Sequence, residues 1–125
     1  MKLQSDPHFG ANTITGYGDG YVEINKTPYT HAVLLSSDGA ISEWPVQSFE
    51  GLEASHFAQM VDLKPELILI GTGNRQRFPK PELLKFLISA KIGFEIMDSQ
   101  AACRTYNILV GEGRQVLLAL IVESS

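Results

Sequence analysis

Two polar strings gather the side chains that could do chemistry: Gly71-Thr72-Gly73-Asn74-Arg75, and Asp98 to Asn107, which holds Asp98, Cys103, Arg104, Tyr106 and Asn107. In the first, backbone N–H groups of residues 71 to 74 could close on a small anion, with Arg75 or Arg77 adding positive charge. The string opens like a dinucleotide-binding fingerprint but lacks the third glycine, and the next helix is expected only near Lys80, so phosphate is not delivered to a helix N-terminus. No cofactor is expected, and the plain reading of the glycines is a turn needing positive φ. In the second string Asp98 is placed to cap a helix by accepting from its unpaired first amides. At helical spacing Ala101, Ala102, Thr105, Tyr106, Ile108 and Leu109 form an apolar stripe, with Gln100, Arg104 and Asn107 on the other side. The Arg104 guanidinium could reach a bound anion or, more plainly, pair with Glu95 or Asp98.

Cys103 would act as a nucleophile only with a lowered pKa and an oriented base, and His8, His31 and His56 have no diagnostic spacing to it. A free cysteine is more often a small buried hydrophobe. As the sole cysteine it excludes an intramolecular disulfide and a multi-cysteine zinc site, and no two histidines share ligand spacing. No catalytic residue and no metal site are assigned.

These strings need strands to place them. Glu66 to Ile70 reads as a continuous apolar run without polar alternation, as for a strand covered on both faces, and Gly93 to Asp98 reads as a second strand. Parallel neighbours in an open α/β sheet end at the same edge, where ligands usually sit. Glu53–Leu63 has helical periodicity, Pro81 opens a further helix through Ile88, Gly93 fits its cap region, a helix follows Asp98 to about Val110, and Gln115–Val122 is a last strand. Ahead of them, Ile14–Tyr17 with Tyr21–Ile24, and His31–Ser36 with Ile41–Trp44, read as hairpins, the second turning on Asp38-Gly39 as type I′. The expectation is a single α/β domain over residues 1–125: a three-layer fold with a central mixed, mostly parallel sheet flanked by helices, plus an N-terminal β-hairpin layer.

Ten Lys and Arg against 14 Asp and Glu give a net charge of −4, which argues against nucleic acid as a partner. Half of the bases fall in one stretch, Arg75, Arg77, Lys80, Lys85 and Lys91, opposed there only by Glu82. That stretch is either a solvated helix face or a surface for an acidic partner. The N-terminus lacks the features of a secretory signal or transit peptide, and the longest apolar run, Val116–Val122, is too short to span a bilayer. A cytoplasmic protein without a transmembrane segment is expected.

The strings Ile68–Gly73, Met97–Asn107 and Gly113–Leu120 resemble a small family described as domain of unknown function 498, whose eukaryotic branch includes mitochondrial complex I assembly factor 3. The resemblance implies an α/β/α-like fold with a mixed sheet and an added hairpin layer, and brings no catalytic residue or cofactor. It marks Gly71, Thr72, Gly73, Asp98, Arg104, Tyr106 and Asn107 as candidate functional positions. Two functions follow as expectations. One is a non-enzymatic interaction or assembly-factor-like protein whose partner is a protein of a membrane-complex assembly. The other is a binder or enzyme for a small anionic molecule held between the Gly71–Gly73 loop and the Asp98 helix.

Overall fold

The computed structural model describes residues 11–124. Three strands, β1 (Ile14–Gly18), β2 (Tyr21–Ile24) and β3 (Thr27–Tyr29), form a small antiparallel sheet. The main sheet has five strands: β4 (Val33–Ser36), β5 (Ile41–Glu43), β6 (Leu67–Gly71), β7 (Gly93–Met97) and β8 (Val116–Leu120), in the order β5-β4-β8-β6-β7. Helix α1 (Ala54–Val61) precedes β6, a 3-10 turn at Pro81–Leu84 leads into α2 (Lys85–Ser89) before β7, and α3 (Ser99–Gly111) joins β7 to β8.

The expected mixed sheet is present, but it is not mostly parallel. β6 pairs in parallel with β7 and β8, while β4 pairs antiparallel with β5 and β8. The difference comes from the second hairpin, which lies in the main sheet instead of a front layer. Its strand Val33-Leu34-Leu35 is buried on both faces, and a strand with no polar face belongs inside a covered sheet.

Alternation along the central strands divides the core. Ile68, Ile70, Leu117 and Ala119 point to one face and pack with Phe57, Met60, Leu84 and Leu87 of α1, α2 and the turn before α2. Leu69, Val116, Leu118 and Leu120 point to the other, against Ala102, Tyr106 and Val110 of α3 and Val22 and Ile24 of β2. The small sheet thus covers part of the same face as α3.

Local structure differs from expectation at three places. Asp38-Gly39 is not a positive-φ turn; the left-handed pair is Asn25 (φ 52°) and Lys26 (φ 73°), which connects β2 to β3. The cap after α2 is Lys91 (φ 59°) and not Gly93, which begins β7: the amide of Ile92 returns to the Leu87 carbonyl at 3.1 Å and so satisfies a terminal helix acceptor. Ile108 of the expected core stripe is 62 % exposed, whereas Cys103 takes a buried place.

Candidate functional site

β6 and β7 end side by side, with Gly71 opposite Met97. Pairing continues one residue further, where the Thr72 amide donates to the Met97 carbonyl at 2.9 Å. The chain then crosses to the start of α3, and the Ser99 amide donates to the Gly73 carbonyl at 2.8 Å. Asp98 caps α3 as its spacing predicts, its Oδ1 accepting from the Ala101 amide at 2.9 Å. Gly71, Thr72, Gly73 and Asp98 are therefore brought together at the strand ends.

The hollow expected between them is filled by the chain itself. Ser99 is fully buried; its Oγ accepts from the Gly73 amide at 2.8 Å and donates to the Ile121 carbonyl at 2.7 Å. The Ile121 amide returns to the Gly71 carbonyl at 3.0 Å, so one hydroxyl joins the ends of β6 and β8 to the start of α3. Both loop glycines are required by space. A Cβ on Gly71 would stand 2.6 Å from Leu120 Cδ1 and 3.0 Å from Ser99 Cα. Gly73 has φ 101°, and a Cβ there would enter the carboxylate of Glu123.

That carboxylate stands where a small anion was expected. Glu123 Oε1 accepts from the Asn74 amide at 2.8 Å, and Oε2 accepts from Arg77 Nη2 at 2.6 Å. Arg77 Nη2 also donates to the Thr72 carbonyl at 2.5 Å, Nη1 lies 3.5 Å from Glu50 Oε2, and Cζ stacks 4.8 Å from the Phe49 ring centroid. The Arg77 Nε–H is buried without an oxygen or nitrogen partner. Partial burial pushes the Glu123 carboxyl up, but the Arg77 hydrogen bond, the Asn74 amide and the charges of Arg77 and Arg75 outweigh it and hold it below its ordinary value. Thr72 Oγ1 secures the loop by accepting from the Arg77 amide at 3.0 Å and donating to the Arg75 carbonyl at 2.8 Å. Arg77, not Arg75, is the cation of this loop; Arg75 is exposed.

The other candidates lie elsewhere. Tyr106 is buried, its hydroxyl donating to the Asn12 carbonyl at 2.8 Å, and burial raises its pKa. The Asn107 amide pairs with Ile14 as a neighbouring strand would: Oδ1 accepts from its N–H at 2.9 Å and Nδ2 donates to its carbonyl at 2.8 Å. Arg104 is exposed and makes no ion pair among the described residues, so neither Glu95 nor Asp98 is its partner. It lines, with Tyr17 and Asn107, a cleft of about 270 Å³ between β1 and α3.

Cys103 borders that cleft but is 4 % exposed, and burial pushes its thiol up to about 12, against the lowering charge of Arg104. At neutral pH it is a protonated thiol. His56 is engaged in structure: Nδ1 accepts from the Glu53 amide at 2.9 Å, and Nε2 lies 2.9 Å from the Pro45 carbonyl, the arrangement of a neutral ring donating from Nε2. His8 lies outside the described residues. Among those described, no group of three or more His, Cys, Asp or Glu could hold a metal ion, and no helix is long and apolar enough to cross a membrane. Sequence reasoning missed Ser99, Glu123 and the choice of Arg77. The first followed a stronger capping signal at Asp98, and the others meet across 46 residues without any local pattern.

Residues 14–121 match the family described as protein of unknown function (DUF498/DUF598). The chain belongs to this family. Among DUF498 relatives, a Francisella tularensis subsp. holarctica protein named "13 kDa major membrane protein" is 32 % identical over 97 % of this chain and 99 % of its own length. A Xenopus tropicalis protein named NADH dehydrogenase [ubiquinone] 1 alpha subcomplex assembly factor 3 is 36 % identical over 66 % of this chain and 46 % of its own. The chain thus spans about half the length of that assembly factor. A solution structure from Bordetella pertussis, described as a Mth938-like domain, superposes with a TM-score of 0.83 at 38 % identity, covering 100 % of this chain and 94 % of that one. The mixed α/β architecture is therefore the Mth938-like fold of the DUF498 family.

Proposed function

We propose that this DUF498 chain is a non-enzymatic interaction protein of the cytoplasm that helps a membrane-associated complex assemble. The observation that carries the reading is the occupied strand-end site: Ser99 and Glu123 take up the amides and the guanidinium that a substrate would otherwise meet. The protonated, buried Cys103 supports it, since it offers no ready nucleophile to the cleft it borders between β1 and α3. The assembly-factor relatives supply the class of partner. The test is in-cell crosslinking of the tagged protein followed by quantitative mass spectrometry of membrane fractions. Subunits of one membrane-associated complex should be enriched over a tag-only control; no enrichment would overturn the reading.

A small anionic ligand remains the second reading, because the Asn74 amide and Arg77 do receive a carboxylate, the chain's own. Such a ligand must displace Glu123. Thermal-shift screening with phosphate, carboxylates and nucleotides tests it, since a ligand at a hundred times its dissociation constant adds about 2.7 kcal/mol of stability. No shift with any of them retires that reading.

A further inference from the structure

Which face meets a partner is a separate matter, and the inference below rests on the interaction reading. Beside the Arg77–Glu123 pair, the segment between β6 and α2 faces the turn before α1 across a groove of about 460 Å³, within the range of about 300–1,000 Å³ usual for ligand pockets. Phe49, Leu52, Phe78 and Leu83 line it, with Arg77 and Lys80 also on its wall. Phe78 is 68 % exposed, the most exposed large apolar side chain among the described residues, so a ring stands in water beside an apolar hollow.

The surrounding charge selects the occupant. Residues 74 to 91 carry five bases and one acid on a chain whose net charge is −4. Of the two cations on the groove wall, Arg77 is committed to Glu123 and Glu50, but Lys80 is exposed and forms no ion pair among the described residues. A second copy docking face to face about a twofold axis would bring these cations against each other. A bilayer is met by a broad apolar face, whereas the apolar surface beside Phe78 is a groove with Glu50 on its wall.

We propose that the groove receives an aromatic or leucine side chain from an acidic segment of a partner protein, one of whose carboxylates pairs with Lys80 on the wall. The apolar anchor supplies the buried contact and the flanking acids set orientation and association rate.

The experiment pans a random displayed-peptide library on the full chain and measures enriched peptides by fluorescence anisotropy. Peptides pairing Phe, Trp or Leu with neighbouring Asp or Glu should emerge and shift amide resonances of residues 49–52 and 78–83. Lys80→Glu and Phe78→Ser should each weaken them tenfold or more with circular dichroism unchanged, while Ile108→Ser on α3 should bind as wild type. Failure to enrich any peptide, enrichment of basic or uncharged ones, or indifference to Lys80→Glu would overturn the proposal. So would self-association abolished by Phe78→Ser, or Lys80-dependent flotation with phosphatidylserine vesicles. A partner crosslinked in cells whose binding ignores both variants removes the groove and leaves the interaction reading standing; absence of any crosslinked partner removes that reading itself.

Discussion

The Ser99 hydroxyl has no competing solvent and two obligations, one to the Gly73 amide and one to the Ile121 carbonyl. Ser99→Ala leaves a buried donor and a buried acceptor unmet, each at about 1–3 kcal/mol. The expected loss is roughly 2–6 kcal/mol, read as a lowered urea midpoint at unchanged slope. Glu123 makes a prediction in pH. Its folded carboxyl titrates below the unfolded value of about 4.3, so its stabilisation is complete above that value and is lost as pH falls through the lower folded one. Glu123→Gln should be less stable than wild type at neutral pH and lose less on acidification between about pH 5 and 3, as urea midpoints across that window will show. An acid-induced loss equal in the two proteins would mean that Glu123 carries none of the linkage. That Glu123 is the anion these groups receive was not readable beforehand, since a carboxylate and a guanidinium 46 positions apart meet only after β6 and β8 have paired.

Among the elements, α3 is held to the small sheet by Tyr106 and Asn107, and Asn107 serves as a one-residue strand edge for Ile14. Asn107→Ala should therefore speed hydrogen exchange at Ile14 while leaving the β6 and β8 amides protected, a local opening rather than a global one. Arg104→Met, on an exposed position without an ion pair, should change stability by no more than about 0.5 kcal/mol. Loss of partner capture by that variant would give Arg104 a role in binding. The helices and the β6, β7 and β8 strands were legible because periodicity and uninterrupted apolar runs report burial directly. The Asp98 cap was legible because capping is local. β4 was read only as half of a hairpin and not placed in the main sheet, although its run Ala32 to Leu35 has no polar alternation, the mark of a strand covered on both sides. The Asn25-Lys26 turn escaped notice because a lysine at φ 73° bears no residue-type signal. The strand-end location of the site was readable; its being filled was not, because that depends on where Glu123 arrives after the last strand.

For the molecule as a whole, the last strand among the described residues is the sheet's middle one: β8 pairs with β4 on one side and β6 on the other. Without Val116–Leu120 the sheet separates into two pairs, β4 with β5 and β6 with β7, and both faces of the core lose their central row. A chain ending at Gln115 should be digested by low protease at a rate typical of an unfolded polypeptide, and a separately added Val116–Ser124 peptide should restore resistance if docking of the strand is the missing step. Resistance of the shortened chain on its own would show that the two pairs hold together by other means. The same order bears on biosynthesis. While the ribosome is still adding residues before Val116, the apolar rows of β4 and β6 have been made but have no strand to join them, so a nascent chain must travel with two sticky edges exposed. Chaperone occupancy should peak over this interval and fall once β8 clears the exit tunnel.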